Sequence, residues 1–275
     1  MTIKKKRRRL KKWVVVVIPI LIIIIIVIIL FAIQNNNINN DKITSKKSNE
    51  KYDDKVNILD DGSDLNRVVY RKGFYYEDLP EDIIDKITGV TYPKEFDENY
   101  SSINYDDLKY IIVKYYDFKG KEHNNGKMIV NKLVAQDVVE IFYKLYQEKY
   151  PIEKMVLVDE YDGDDELSME DNNTSCFNYR IVENIDRLAW HAFGLAIDIN
   201  PLYNPYVVDG EVYPSTAKEY ANRDVEFKGK IDHEDFAYKI FTEYGWKWGG
   251  DFQYSKDYQH FYKEVLDDEI RERKD

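Results

Sequence analysis

The sequence of 275 residues predicts an α+β domain over residues 67–270, with a central antiparallel sheet and flanking helices, preceded by a single transmembrane helix. Three observations lead to this prediction. From residue 67 onward, segments with helical and with strand-like apolar spacing are mixed along the chain. An uncharged apolar run near the N-terminus is separated from that part by a polar stretch. Aromatic residues make up 15% of the chain, which is too many for a disordered protein.

The N-terminal segment combines a basic cluster with an apolar run. Residues 1–12 carry eight Lys and Arg and no acid, and the 21 residues 13–33 carry no charge. At about 1.5 Å per residue such a helix spans roughly 31 Å, close to the thickness of the hydrocarbon core of a bilayer. We therefore predict a cytoplasmic segment (1–12), an uncleaved membrane anchor (13–33) and an extracellular C-terminal part, hence a single-pass protein of the cell membrane. The alternative is a cleaved signal peptide, which has a shorter apolar core and an Ala-x-Ala site that is missing here.

Composition excludes several classes of function. With eight of the 40 Lys and Arg in residues 1–12, the remaining chain carries 32 bases against 51 acids. Nucleic acid is not expected as a partner, because its phosphates need a basic surface. The single cysteine excludes an internal disulfide and a cysteine-based zinc finger. Residues 34–66, rich in Asn, Lys, Asp and Ser, are predicted to be a disordered spacer.

Apolar periodicity predicts the elements of the domain in chain order. A short helix is expected over 77–89, with Asp78 as its N-cap. Two longer helices are expected at 131–148 and 232–244, the second with Phe236 facing inward. β-Branched and aromatic residues predict the strands, which are expected at 108–118, 127–131, 155–158 and 195–200.

The stretch from His191 to Asn200 is the most informative part of the sequence. From residue 195 on, apolar side chains alternate with small or polar ones, so the strand has an apolar back and a polar front that includes Asp198. A regular strand would separate His191 and Asp198 by about 23 Å, and a helix by about 10 Å. Two ligands of one metal ion must come within a few ångströms of each other. The chain must therefore turn back between them, and Gly194 permits that turn.

A second cluster lies near the C-terminus. Asp257 and His260 are three residues apart, so a turn or a helix would place them on one side, where one can bind a metal ion and the other can face a bound water. Trp246 and Trp248 precede them together with the pair Gly249–Gly250. These residues predict an aromatic wall and a flexible bend beside a cleft.

The two clusters together are similar to the VanY-type zinc peptidases of bacterial cell walls, which include D-alanyl-D-alanine carboxypeptidases and L-alanyl-D-glutamate endopeptidases. The motif residues are His191, Gly194, Ala196 and Asp198, followed by Asp257 and His260. Upstream, residues 172–180 resemble the family segment that supplies an active-site arginine, and residues 200–205 resemble the loop after the metal-binding strand. The resemblance covers about residues 105–265, and it identifies 67–270 as a zinc peptidase domain.

The resemblance implies a role for each of these residues. One zinc ion would be held by His191, Asp198 and His260. Asp257 would be the general base and acid, and Arg180 would stabilise the oxyanion or grip the substrate. Trp248 is expected at the substrate-binding wall. The implied activity is hydrolysis of peptidoglycan stem peptides outside the membrane.

Two questions stay open on the sequence alone. The family often has Ser where this chain has Ala189, so a substrate hydrogen bond found in some relatives is missing. Together with the lack of a second recognisable carboxylate clamp, this favours an endopeptidase that cuts between L-Ala and D-Glu over a carboxypeptidase. The alternative function is a non-catalytic zinc-bearing domain that binds the cell wall or takes part in signalling. Asp257 favours the enzyme, because a structural zinc needs no free acid beside it.

Several other residues of reactive types are interpreted as structural. His123 lies in a polar turn and His233 at a helix start, so both are expected at the surface. Cys176 is expected to be a small packed residue, not a nucleophile. The alternative for Arg180 is an ordinary salt bridge.

Overall fold

The computed structural model describes residues 66–182 and 186–265, and the backbone of a short strand at 57–58. The predicted cytoplasmic segment, the predicted anchor, most of the predicted spacer and residues 266–270 lie outside the described residues. Within the described part of the chain, no helix has both the length and the apolar character that a membrane span needs. The described residues form an α+β fold with antiparallel sheets and few helices, as the sequence predicts.

Four helices and eleven strands make up this fold, with short 3₁₀ turns between some of them. The helices are α1 (Glu81–Ile87), α2 (Ala135–Gln147), α3 (Asp165–Glu170) and α4 (Phe236–Glu243). The strands up to the centre of the chain are β1 (Asn57–Ile58), β2 (Val68–Arg71), β3 (Phe74–Glu77), β4 (Leu108–Tyr116) and β5 (Glu122–Asn131). The later strands are β6 (Ala196–Asp198), β7 (Tyr206–Val208), β8 (Glu211–Tyr213), β9 (Lys247–Trp248), β10 (Ser255–Asp257) and β11 (His260–Tyr262).

The largest sheet is an antiparallel meander in the order β1-β2-β3-β4-β5. Buried and half-buried residues largely alternate along β4, because successive side chains of a strand point to opposite faces. Helix α2 buries one apolar stripe and packs against β3 and β4 of this sheet. The buried stripe repeats at helical spacing, as predicted, and consists of Ala135, Val138, Val139, Ile141, Phe142 and Leu145. We call this sheet with α2 the framework.

Two small three-stranded antiparallel sheets carry the predicted functional residues. One has the order β6-β11-β9 and the other β10-β7-β8. The predicted metal ligands therefore do not lie on the largest sheet. They lie on the first small sheet and on the 3₁₀ turn Trp190–Phe193 that precedes β6.

Three local predictions are wrong. Helix α1 has Pro80 as its N-cap, while Asp78 forms an ion pair with Lys109. Helix α4 begins at Phe236 and has Asp235 as its N-cap, so Phe236 lies in the first turn and is 36% exposed. Residues 155–157 belong to no strand, although Met155 and Leu157 are buried. The isolated bridges in this stretch lie at Pro151 and Lys154, before the predicted strand.

Candidate metal centre

A tight turn brings His191 and Asp198 together. His191 lies in the 3₁₀ turn Trp190–Phe193, and Gly194 ends that turn in the left-handed conformation with φ of +64°. The chain then reverses into β6, whose last residue is Asp198. A Cβ atom at Gly194 would stand 2.6 Å from the backbone nitrogen of Asn131. Both the positive φ and this close approach require glycine, as the sequence predicts.

Strand pairing adds the third predicted ligand. His260 begins β11 and is the direct antiparallel partner of Asp198 in β6. Directly opposed residues of an antiparallel pair have their side chains on the same face of the sheet. On its other side, Asp198 exchanges two backbone hydrogen bonds with Ser175. The backbone of Asp198 is therefore fixed from both sides.

The three side chains lie close enough together to bind one metal ion, since one ligand atom from each lies within 4.8 Å of the other two. The two histidines face different oxygens of Asp198. His191 Nε2 lies 3.1 Å from Asp198 Oδ2, and His260 Nδ1 lies 3.0 Å from Asp198 Oδ1. The two imidazole nitrogens are 3.2 Å apart. For zinc bonds of 2.0–2.1 Å at a tetrahedral angle, neighbouring ligand atoms are about 3.3 Å apart. Two imidazoles and one carboxylate are also the ligand types of zinc hydrolases, so these residues fit a zinc ion.

The hydrogen bonds around His191 leave the correct nitrogen available. His191 Nδ1 lies 2.5 Å from the carbonyl oxygen of Cys176, which can only accept a hydrogen bond. Nδ1 therefore carries the proton, and Nε2 keeps its lone pair and points at the cluster. A metal-binding histidine usually donates its second N–H in this way, which fixes the tautomer and the orientation of the ring.

The cluster attracts positive charge. All three side chains are buried. The two histidines hold the pKa of Asp198 well below its ordinary value, although burial alone would raise it. Burial lowers the pKa of His191, but the carboxylate of Asp198 outweighs that effect and raises it overall. A buried carboxylate needs a cationic partner, and a metal ion in place of a proton would supply it.

Asp257 stands beside the cluster without being part of it. It ends β10, and a turn of two residues separates it from His260, which begins β11. Its Oδ1 atom is buried and has no hydrogen-bond partner among the described residues. Burial raises the pKa of Asp257 to about 6, with a further increase from Asp198 and an opposing effect of His260. A carboxyl group with a pKa near the working pH is suited to general acid–base chemistry.

Arg180 is close enough to the cluster to act on it electrostatically. Its charge lowers the pKa of His191, and its backbone oxygen accepts a hydrogen bond from the Ala189 N–H at 3.0 Å. The guanidinium forms an ion pair of 2.6 Å with Asp165 in α3. The structure thus shows the salt bridge that the sequence left as an alternative, beside the site that the resemblance implies. Asp165 was not singled out from the sequence, because it is one of many acids in residues 159–171.

Trp248 is a buried residue that supports the site. It is 4% exposed, and its indole N–H donates to the carbonyl oxygen of Tyr258 at 2.9 Å. This bond holds the turn between Asp257 and His260. The neighbouring Gly249 leaves no room for a side chain, since a Cβ atom there would lie 2.8 Å from the Cβ of Asp257 and 3.1 Å from that of His260. The segment predicted as a flexible bend is thus a close contact, while substrate binding by Trp248 stays a prediction.

The sequence did not indicate a buried network of polar contacts made by Asn204 and Arg223. Asn204 is fully buried and accepts hydrogen bonds from the Ile231 N–H and from Arg223 Nη2. The guanidinium of Arg223 also lies 4.3 Å from the ring centroid of Tyr258, next to Asp257. These contacts fix the loop after β6 to the turn that follows Asp257. The only signal in the sequence was the Asn-Pro pattern at 200–205.

The other residues of reactive types, His123, His233 and Cys176, lie outside the metal cluster. His123 is paired with Asp117 and stacks on Tyr115, so it is more buried than predicted. His233 is exposed, as predicted, and pairs with Asp251. Cys176 is buried, and burial raises the pKa of its thiol, which makes it a poor nucleophile.

Comparison with known proteins confirms the resemblance over part of the chain. Residues 183–263 match the sequence model of a family described as D-alanyl-D-alanine carboxypeptidase. This range includes the three clustered side chains and Asp257, whereas Arg180 precedes it. No curated protein and no solved structure matches the chain. The match supports a zinc peptidase that acts on cell-wall peptides in general, without distinguishing a carboxypeptidase from an endopeptidase.

Proposed function

We propose that this protein is a membrane-anchored zinc metallopeptidase that hydrolyses peptide bonds in peptidoglycan stem peptides outside the cell. The observation that carries the proposal is the buried cluster of His191, Asp198 and His260, in which each pair of side chains approaches to 3.0–3.2 Å. Beside it lies Asp257, whose buried Oδ1 atom has no hydrogen-bond partner among the described residues. A purely structural zinc site uses four protein ligands, whereas the described residues offer three here, with the carboxyl group of Asp257 next to them.

Each residue of the site would have its own role in hydrolysis. His191, Asp198 and His260 would hold one zinc ion, which, when bound, lowers the pKa of a water molecule and polarises a carbonyl group. Asp257 would accept the proton of the attacking water at its carboxylate and return it to the leaving amine. Arg180 would offset the negative charge that develops on the carbonyl oxygen. Trp248 and Gly249 keep Asp257 in place beside the cluster.

The location of the enzyme follows from the N-terminal sequence. The basic segment 1–12 would stay in the cytoplasm, and residues 13–33 would span the membrane. The spacer of about 30 residues would let the domain reach stem peptides in the wall. The acidic domain would repel anionic wall polymers, so the anchor, and not electrostatic adsorption, is expected to keep the enzyme in place.

The test is digestion of defined muropeptides by the full chain in detergent, with the products identified by mass spectrometry. The zinc content of each variant is measured by elemental mass spectrometry. Asp257→Asn should keep zinc and lose about 10²- to 10⁴-fold in turnover, because it removes a proton acceptor and no ligand. Asp251→Asn makes the same substitution at an exposed position six residues earlier, so it is the matched control and should retain activity.

Two outcomes would contradict the proposal. Loss of zinc in Asp257→Asn would mean that this residue is a ligand and that the roles are exchanged. A wild-type protein that binds zinc and cleaves no muropeptide would be the non-catalytic wall-binding domain.

A further inference from the structure

Three side chains lie in one row across the small sheet β10-β7-β8. Asp257 in β10 is the direct antiparallel partner of Tyr206 in β7, and Tyr206 is in turn the partner of Tyr213 in β8. Directly opposed residues of antiparallel strands have their side chains on the same face of the sheet. The acid and the two tyrosines therefore stand side by side on one face, with Asp257 at one end of the row.

The row leads away from the metal cluster. Strand β10 is an edge strand of its sheet, and β7 pairs with it on one side. On its open side lies Gly249, where a Cβ atom would stand 2.7 Å from the carbonyl oxygen of Asp257 and 3.1 Å from the Cβ of His260. Neighbouring strands are about 4.8 Å apart, so Tyr206 begins about 5 Å and Tyr213 about 10 Å from Asp257, on the side remote from His260.

The rings of Tyr206 and Tyr213, which we call the tyrosine pair, form one aromatic surface. Their centroids are 6.1 Å apart, and their planes are inclined by 32°. Tyr206 is half-buried and Tyr213 is 38% exposed, so solvent reaches both residues. Tyrosine rings offer an apolar face for packing and a hydroxyl group for a hydrogen bond. The tyrosine pair is thus suited to bind a peptide that passes over it.

The proposed mechanism decides which part of the substrate meets this surface. Asp257 returns a proton to the leaving amine, so the nitrogen of the scissile bond must lie beside Asp257. The residues attached to that nitrogen, the leaving segment, then continue from Asp257 along the row. One extended residue spans about 3.3–3.6 Å. A leaving segment of one residue therefore reaches Tyr206, and two or three residues are needed to reach Tyr213.

We propose that the tyrosine pair binds a leaving segment of two or more residues and makes the enzyme an endopeptidase. This inference rests on the proposed function and deepens it. A carboxypeptidase releases a single residue, which would leave Tyr213 without a contact. A longer leaving segment packs against both rings, and its binding strengthens with its length.

The test varies the length of the leaving segment alone. The substrates are N-acetyl-L-alanyl-D-glutamate and the same compound extended by L-Lys and by L-Lys-D-Ala. All three end as C-terminal amides, so the terminal charge stays constant. For the zinc-loaded full chain, Tyr213→Ala should raise KM about tenfold for the longest substrate, with kcat and the KM of the shortest substrate unchanged.

Two further variants separate substrate binding from a merely structural role. Tyr213→Phe keeps the aromatic ring and should restore most of the affinity for the longest substrate. Tyr254→Ala removes the same side chain from a position outside the row that is 88% exposed, and should change no KM. A structural role of Tyr213 would instead lower kcat or zinc content equally for substrates of every length, which would overturn the inference.

A binding measurement reads the surface without turnover. The tripeptide amide of D-Glu, L-Lys and D-Ala is the segment that cleavage would release, and calorimetry with the zinc-loaded full chain should give a Kd about tenfold higher in Tyr213→Ala than in the wild type. Tyr213-dependent binding without cleavage of any substrate would support the surface and refute the proposed function.

Two outcomes would overturn the inference and leave the proposed function standing. One is cleavage with the same KM and the same tripeptide binding in the wild type and in Tyr213→Ala. The other is a loss in Tyr213→Ala that grows when the acyl side is extended by an N-acetylmuramyl group and not when the leaving segment is extended. That result would place the acyl side of the substrate on the tyrosine pair.

Discussion

The framework and the two small sheets are stabilised in different ways. In the framework, β4 and β5 are nine and ten residues long and bury mostly apolar side chains, so ordinary hydrophobic packing holds them. In the small sheets no strand exceeds three residues, and the buried side chains beside them include His191, Asp198 and Asn204. Buried polar groups are tolerated only with partners, so this region depends on specific contacts.

The comparison shows where stability and chemistry are separated in this molecule. Loss of packing in the framework should lower the free energy of unfolding and leave the site intact in the folded molecules. Loss of a contact in the small sheets should affect metal binding or turnover with less effect on unfolding. Each of the following changes tests one side of this separation.

The largest loss of turnover is expected when a predicted zinc ligand is replaced. His260→Ala should lose zinc and lower turnover by about a thousandfold or more, because the ion keeps only two ligands. His123→Ala removes the same side chain from the framework, where His123 pairs with Asp117, and should keep zinc and activity. Zinc content and muropeptide turnover are the measurements. Equal zinc content in the two variants would exclude His260 as a ligand.

A cavity in the core of the framework should lower the free energy of unfolding and leave zinc binding and turnover unchanged. Phe142 in α2 is fully buried, and Phe142→Ala should lower the free energy of unfolding by about 3–5 kcal/mol. Chemical denaturation followed by circular dichroism measures this change. Turnover per folded molecule should stay within about twofold of the wild-type value. A large loss of zinc affinity in the folded variant would show that the two regions are not separable.

Gly249→Ala is expected to lower turnover less than His260→Ala does, and Gly210→Ala is its control. Gly249→Ala should lower turnover about a hundredfold, because the added Cβ displaces Asp257 or His260. Gly210 lies in the turn between β7 and β8 with open space around it, so Gly210→Ala should cost about 1 kcal/mol of stability through its positive φ and leave turnover intact. Normal activity of Gly249→Ala would mean that the close contact is not needed.

The smallest effect concerns the pH dependence of stability at Asp235, the N-cap of α4. Burial raises its pKa to about 6, against about 3.9 in an unfolded chain. The folded state therefore keeps a proton that the unfolded state releases, so this contribution to stability is present at low pH and is lost as the pH rises through 6. We expect a loss of roughly 2 kcal/mol between pH 4 and pH 7. Asp235→Asn should remove that slope, and an unchanged slope in denaturation experiments would contradict the assignment.

The sequence predicted the long periodic elements better than the short ones. Helix α2 and strand β4 have many apolar residues at regular spacing, and both lie within two to four residues of the expected bounds. Residues 155–157 have the composition of a strand, but whether a partner strand pairs with them depends on the tertiary fold. The N-cap Asp235 was missed because the apolar pattern does not mark where the first turn begins.

The clustered site residues could be predicted because the motif fixes their spacing, whereas their supports could not. Gly194 was identified from the distance argument alone, and the structure gives it the expected left-handed turn. Asn204, Arg223 and Asp165 make their contacts across long stretches of chain, and nothing in the sequence near them specifies those partners. A polar side chain becomes a support only through the fold that surrounds it.

The link between Asn131 and the metal-binding turn has a consequence for the order of folding. Asn131 ends β5, and its side-chain amide donates to the carbonyl oxygen of Phe193, 62 residues away, at 2.9 Å. Contacts of such long sequence separation form late, after the local structure on which they depend. The cluster of His191, Asp198 and His260 should therefore be completed only after β5 has joined the sheet. Zinc should then leave the folding rate unchanged and slow unfolding, a result that stopped-flow experiments with and without zinc can test.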